Sequence, residues 1–200
     1  MRVVATHGVG SSSATWEHQR PVLEVAGHDV ATWDLRGHGD NRGPYDSYTR
    51  DDALADLSSL VGERPSVLLG HSLGGYLSLA LAITRPDVVR GLALVATGPG
   101  FRDPAAREQW NEYISTATGA GPEVGIGLQP DALVIDGLRS IGVPVLLVVG
   151  ERDTRYHAGM AYMAKVFDTE VVIIPGAGHH VHRSHADEIN PRLVEFIAGI

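Results

Sequence analysis

Between Ser66 and Ile83 the chain passes from a strand-like stretch to a helix-like one through a turn that few side chains would tolerate. Ser66-Val67-Leu68-Leu69 is apolar and β-compatible and ends at Gly70, while Tyr76-Leu77-Ser78-Leu79-Ala80-Leu81-Ala82-Ile83 has the make-up of a helix. Between them stands His71-Ser72-Leu73-Gly74-Gly75. Glycines two positions before and two after Ser72 let the strand and helix backbones approach where a Cβ at either place would clash. The spacing therefore predicts Ser72 at positive φ, with its hydroxyl at the apex of the turn. A residue other than glycine is strained there, and strain of that kind marks functional positions.

The remaining chain repeats the same rhythm. Short apolar strands are expected over residues 2–6, 29–33, 91–96, 143–149 and 170–174, and helices near 16–25, 49–61, 158–167 and from 180 to the end. Strands separated by helical patterns imply right-handed crossovers. The expected fold is therefore α/β, a mostly parallel sheet of about six strands between two helical layers. Residues 97–142 break the rhythm: Gly98-Pro99-Gly100 opens the segment, a helix is expected from Pro104 to Thr116, the stretch from Gly119 to Gly127 is glycine-rich, and a second helix runs from Asp131 to Ile141. This segment reads as a short lid inserted over a core formed by residues 1–96 and 143–200.

Two hundred residues suit one core. The formal charge of −8 argues against nucleic acid and anionic membranes as partners. The absence of cysteine excludes disulfides and thiolate chemistry. The start, Met1-Arg2-Val3-Val4-Ala5-Thr6-His7-Gly8, offers a five-residue strand where a signal peptide needs a longer apolar core, and no apolar run approaches ~20 residues. The expected location is the cytoplasm.

In an open parallel sheet the ligand crevice lies outside the carboxyl ends of the strands. Four groups fall there from four different strands: the His7-Gly8-Val9 loop, Ser72, Asp153 and His179. A serine hydroxyl is a poor nucleophile until a neutral imidazole takes its proton, and the imidazole needs a carboxylate to set its tautomer and stabilise its charge. The order Ser72, Asp153, His179 is a known chain order for such a triad. Asp103, Asp131 and Asp136 are alternative acids, though none ends a strand as cleanly. His180, His182 and His185 crowd His179, but without a carboxylate at ligand spacing they read as surface or capping residues, and no metal or other cofactor is expected. His71 reads as lining or underpinning the site and His38 as part of a turn. Trp16, Phe101, Trp110, Tyr113 and Tyr156 are candidates for an apolar acyl pocket.

Five segments together resemble the α/β-hydrolase superfamily: His7-Gly8-Val9-Gly10-Ser11-Ser12, Asp34-Leu35-Arg36-Gly37-His38-Gly39, Gly70-His71-Ser72-Leu73-Gly74-Gly75, Gly150-Glu151-Arg152-Asp153 and Gly176-Ala177-Gly178-His179. The resemblance implies Ser72 as nucleophile, His179 as general base and then acid, and Asp153 as the orienting carboxylate. It implies an oxyanion hole from the backbone N–H groups of Leu73 and Val9. The family usually carries an antiparallel strand pair ahead of the strand that begins here at Arg2. Without that pair the strand at 29–33 becomes an open edge, a candidate surface for self-association into a homo-oligomer.

Within the superfamily, the segments around Phe101-Arg102, Asp153-Thr154-Arg155-Tyr156 and His179-His180-Val181-His182-Arg183 resemble the succinyl-hydroxycyclohexadiene-carboxylate synthase branch of the menaquinone pathway. Members of that branch use the triad to eliminate pyruvate and hold substrate carboxylates with arginines. One of those arginines follows the glycine pair, a position occupied here by Tyr76, which leaves Arg102 and Arg155 as candidate carboxylate contacts. The leading expectation is a serine hydrolase of small carboxylic esters, with Phe101, Arg102, Trp110 and Tyr156 as candidate substrate contacts. A pyruvate-eliminating lyase is the first alternative and a non-catalytic binding module on the same fold the second.

Overall fold

Val4 and its neighbours Val3 and Ala5 face opposite ways, and that alternation sets the layers of the molecule. The computed structural model describes residues 1–45, 48–117 and 124–200. Its six strands are β1 (Arg2–Thr6), β2 (Asp29–Trp33), β3 (Ser66–His71), β4 (Val89–Val95), β5 (Val145–Gly150) and β6 (Val171–Ile174). They pair in the order β2-β1-β3-β4-β5-β6, and every pair is parallel. All six residues of β3 are buried, as expected for the central strand of a sheet covered on both faces.

The helices are α1 (Arg20–Val25), α2 (Arg50–Val61), α3 (Leu73–Thr84), α4 (Pro104–Ala117), α5 (Val124–Gly127), α6 (Leu133–Gly137), α7 (Thr154–Phe167), α8 (Val181–Ser184) and α9 (Ala186–Ala198). One face of the sheet, with Val4, Leu68, Leu92 and Leu147, packs against Leu57 of α2, Leu77 of α3 and Met160 of α7. The other face, with Val3, Val67, Leu69 and Val148, packs against Leu23 of α1 and the stripe Ile189, Leu193 and Ile197 of α9. That stripe repeats every four residues, so one side of α9 buries. Helix α2 starts at a reciprocal cap, in which Thr49 accepts from the Asp52 N–H while the Asp52 carboxylate accepts from the Thr49 N–H.

Three expected helices are broken in the structure. The helix expected over 16–25 divides into a 3-10 turn at Ser13–Trp16 and α1, which has Pro21 in its first turn, where a missing N–H costs nothing. The expected helix over 131–141 is α6 followed by a 3-10 turn at Leu138–Ser140. The closing helix divides at His185, whose φ of −133° and ψ of 44° lie outside the helical region. Of the glycine-rich stretch, residues 119–123 lie outside the described residues, as does Asp46 at the end of the loop that follows β2. Strand β2 stands at an open edge of the sheet, as expected. Among the described residues no helix is long and apolar enough to cross a membrane.

Candidate active site

Ser72 sits at φ 52° and ψ −116°, between the end of β3 and the first turn of α3. The flanking glycines explain how it gets there. A Cβ on Gly70 would lie 2.5 Å from the Gly74 carbonyl oxygen, and one on Gly74 would overlap the main chain of Thr6 in β1. Strand and helix are thus in backbone contact, and the serine is pushed out at the corner. Its strained backbone is held from the neighbouring strand: the Ser72 N–H donates to the Val95 carbonyl at 2.9 Å, and the Thr97 hydroxyl donates to the Ser72 carbonyl at 2.6 Å. Strain at such a position costs on the order of 1–3 kcal/mol and persists only where the surroundings enforce it.

Asp153 and His179 arrive from β5 and β6. Asp153 precedes α7 just beyond β5, and His179 follows β6 on the loop Gly176-Ala177-Gly178. The two loops are joined by the Arg152 N–H donating to the Ala177 carbonyl at 2.8 Å, and a Cβ on Gly150 would come within 2.5 Å of that same oxygen. Nδ1–H of His179 donates to Oδ2 of Asp153 at 2.8 Å, which leaves Nε2 as the free, basic nitrogen. The alternative acids are engaged elsewhere. Asp103 accepts from the first N–H groups of α4, Asp131 pairs with Arg50 at 2.6 Å, and Asp136 pairs with Arg102 at 2.6 Å.

The loop after β1 is ordered by a residue that sequence reasoning treated only as part of a motif. His7 is wholly buried; its Nε2 accepts from the Leu35 N–H at 3.1 Å, so Nδ1 carries the proton and donates to the Gly8 carbonyl at 2.7 Å. Burial holds this imidazole down to about 4, so it is neutral and its tautomer is set. With the Gly8 carbonyl tied back to His7, the trans peptide directs the Val9 N–H the opposite way. Among the described residues neither the Val9 nor the Leu73 N–H is used in a hydrogen bond, and both residues line the same cavity as Ser72 and His179. Such a pair of free N–H groups can stabilise a developing oxyanion.

That cavity has a volume of about 430 Å³, ample for a small-molecule ligand. Phe101, Trp110, Tyr113 and Tyr156 line it, as do Arg155 and Tyr76. Arg102 does not. Its guanidinium is turned to Asp136 and its side chain is more than half exposed, so the expectation of a substrate contact there is corrected. Trp16 is likewise absent from the lining, because it packs under the opposite face of the sheet against His182. The Ser72 hydroxyl lies 3.4 Å from the Tyr156 hydroxyl and makes no hydrogen bond with His179 in this arrangement. Burial raises the Tyr156 pKa, so the phenol keeps its proton.

Of the neighbouring histidines, His182 is fully buried, contrary to a surface or capping role. Its Nε2 meets the Thr15 hydroxyl at 2.7 Å, and burial holds its pKa down to about 3. His71 lies beneath His179 with ring centroids 4.8 Å apart, and its Nε2–H donates to the His179 carbonyl at 3.0 Å. Among the described residues no group of three His, Cys, Asp or Glu side chains converges as a metal ion would need.

Comparison with known proteins places this geometry in context. A family model described as "Alpha/beta hydrolase family" matches residues 3–128. A pimeloyl-(acyl-carrier protein) methyl ester esterase from Neisseria meningitidis serogroup A is 28% identical over 248 residues, a match covering 100% of this chain and 77% of the relative. That alignment is longer than this chain, so the relative carries interleaved residues that this chain lacks. Among solved structures, a bromoperoxidase from Bacillus anthracis superposes with a TM-score of 0.81 at 21% identity, covering 98% of this chain and 91% of the other. MenH from S. aureus superposes with a TM-score of 0.84 at 19% identity, covering 100% and 94% respectively.

Proposed function

Because the chain belongs to the α/β-hydrolase family, we propose that it is a serine hydrolase of carboxylic esters that works through an acyl-enzyme on Ser72. The observation that carries this reading is the 2.8 Å bond from His179 Nδ1 to Asp153, made at the edge of the cavity that Ser72 also lines. In the proposed cycle, rotation about χ1 takes the Ser72 hydroxyl from Tyr156 to Nε2 of His179. The imidazole accepts the proton as Oγ attacks the ester carbonyl, and Asp153 stabilises the resulting imidazolium. The carbonyl oxygen, now an oxyanion, is received by the Leu73 and Val9 N–H groups. One such donor is typically worth ~3 kcal/mol of transition-state stabilisation. His179 then protonates the departing alcohol, and water activated by the same imidazole releases the acid and restores Ser72.

Residues 97–142 act in this reading as a short lid. Phe101, Trp110, Tyr113 and Ile114 supply an apolar wall for the acyl chain, and the lid is tied to the core where the buried Arg50 pairs with Asp131. Of the arginine positions that would hold substrate carboxylates for pyruvate elimination, Tyr76 takes one and Arg102 is turned to Asp136, which leaves Arg155, at the rim over the Tyr113 ring, as the one candidate that lines the cavity. That favours ester hydrolysis over the lyase outcome.

The test is a stopped-flow burst of p-nitrophenol from a short-chain p-nitrophenyl ester, together with labelling by a fluorophosphonate probe. Both are expected in the native protein and absent from Ser72→Ala. A folded protein that neither turns over the ester nor takes the label would overturn the reading in favour of a binding module.

A further inference from the structure

Among the described residues, Gln129 carries a buried polar atom that lines the cavity region and has no partner. Its residue is only 6% exposed and lines the cavity, yet its buried side-chain oxygen Oε1 makes no hydrogen bond with any described residue. Its main chain, by contrast, is fully engaged: Asn111 of α4 accepts the Gln129 N–H at 2.8 Å through Oδ1 and donates through Nδ2 to the Gln129 carbonyl at 3.1 Å. The backbone of Gln129 is therefore clamped while its side-chain oxygen is left without a partner. Nearby, Gly100 adopts φ +81°, and a Cβ there would stand 2.6 Å from the Gln129 side-chain oxygen, so the opposing loop leaves room only for that amide. Trp110, beside Asn111 in α4, also lines the cavity with an indole N–H that has no partner.

A buried carboxamide oxygen without a partner is costly, and such groups persist where a ligand completes the amide. The rest of the lining tells what kind of ligand. Of the arginines in or against the lid, Arg50 is paired with Asp51 and Asp131, Arg102 with Asp136, and Arg107 of α4 donates to the Phe101 carbonyl at 3.2 Å. Arg155 lies over the Tyr113 ring, 4.1 Å from its centroid, on the exposed rim. Arg155 is the one arginine among the described residues that line the cavity, and its place on the rim favours an uncharged group beside Gln129.

Resting on the hydrolase reading, we propose that Gln129 is a recognition point within the acyl pocket and that the preferred ester bears an uncharged hydrogen-bonding group, a ketone, hydroxyl or amide, on its acyl chain. The carboxamide supplies both a donor and an acceptor, so it can meet any of these. A purely hydrocarbon chain reaching the same depth leaves the amide unpaired and is discriminated against. A hydrogen-bonding site rejects an analogue that lacks the group far better than an apolar pocket rejects one that adds it.

Three ethyl esters of nearly equal size separate the possibilities: ethyl 4-oxopentanoate, ethyl 4-methylpentanoate and monoethyl succinate. The series is repeated with one and two further methylenes to span the depth of the pocket, and hydrolysis is followed in a pH-stat. At the length that reaches Gln129, the keto ester is expected to exceed the methyl-branched one in kcat/KM by about tenfold, the scale of one net hydrogen bond. The succinate ester is expected to be slower than the keto ester. In Gln129→Leu and Gln129→Met, which leave the Asn111 clamp in place, the keto preference is expected to vanish. The same ratio in native and variant proteins at every length, or a preference for the charged ester, would overturn the proposal. Failure of the hydrolase reading looks different, since then no ester is turned over by the folded protein. In that event tryptophan fluorescence titrations with 4-oxopentanamide and 4-methylpentanamide decide the subsite: a preference for the keto amide that Gln129→Leu abolishes upholds it, and equal affinities overturn it.

Discussion

The Tyr156 ring lies face to face with the His179 imidazole, centroids 4.8 Å apart and planes 18° from parallel. Tyr156 comes from the first turn of α7 and His179 from the loop after β6, so the stack joins the two chain segments that also supply the Asp153–His179 bond. The same phenol ends 3.4 Å from the Ser72 hydroxyl. One side chain therefore touches both partners of the proposed proton transfer.

Its two parts should be separable. Tyr156→Phe keeps the stack and removes a long, weak hydrogen bond worth under about 1 kcal/mol, so kcat/KM for p-nitrophenyl acetate is expected to stay within about fivefold of native. Tyr156→Ala removes the stack, worth about 0.5–1.5 kcal/mol, and frees the imidazole to turn, so a loss of about tenfold or more is expected. A large loss in the Phe variant would mean instead that the hydroxyl itself acts on the substrate.

Asp153 sets which nitrogen of His179 holds the proton. Asp153→Asn keeps the shape of the side chain but offers a donor as well as an acceptor, and so permits the wrong tautomer. A fall in kcat of about 10³–10⁴ is expected, with the melting temperature little changed. Steady-state kinetics and thermal unfolding on the same preparation check it, and near-native activity would remove Asp153 from the mechanism.

The close approach at the nucleophile turn yields a stability prediction. Gly74→Ala would drive a methyl group into the backbone of Thr6, where no side-chain rotation can give way, and a loss of about 3 kcal/mol or more is expected. Gly142→Ala is the control. Nothing lies within 4 Å of a Cβ there and φ is not positive, so the variant is expected to be neutral or stabilised by up to about 1 kcal/mol. Urea unfolding of the two variants measures the difference.

Three histidines make the fold sensitive to acid. Burial lowers the pKa of His7 to about 4, that of His182 to about 3, and that of His71 well below its usual 6.5. Below 6.5 the unfolded chain takes up protons that the folded one refuses, so stability is fully present above that pH and declines as pH falls. Each histidine contributes up to about 1.4 kcal/mol per pH unit, until its own folded pKa is reached. The urea midpoint is expected to fall steadily between pH 7 and 5, and His7→Gln to flatten the slope by about one histidine's share. A midpoint independent of pH over that range would contradict it.

How much of this was legible beforehand varies with the residue. The Gly-x-Ser-x-Gly turn could be read because its cause is local: a strand, a helix and no room for a Cβ at Gly70 or Gly74. Asp153 and His179 were legible because each stands at the carboxyl end of a continuous apolar strand, and the order of strands in a parallel sheet sends those ends to one edge. Arg102 was misread because its nearness in sequence to Phe101 says nothing of direction, and an acid at 136 captures it. His182 was misread for a related reason, since a one-turn helix at Val181–Ser184 turns it inward to meet Thr15, 167 residues away in the chain.

The sequence by itself determined the alternation of strands and helices, the strained serine and the set of strand ends, because periodicity and glycine spacing act over a few residues. Only the tertiary structure decided that Tyr156 lies between Ser72 and His179, that His7 aims the Val9 N–H and that Gln129 is buried with its amide oxygen unused. Those relations depend on which side chains from distant segments fill the same space, and packing of that kind leaves no trace in local pattern.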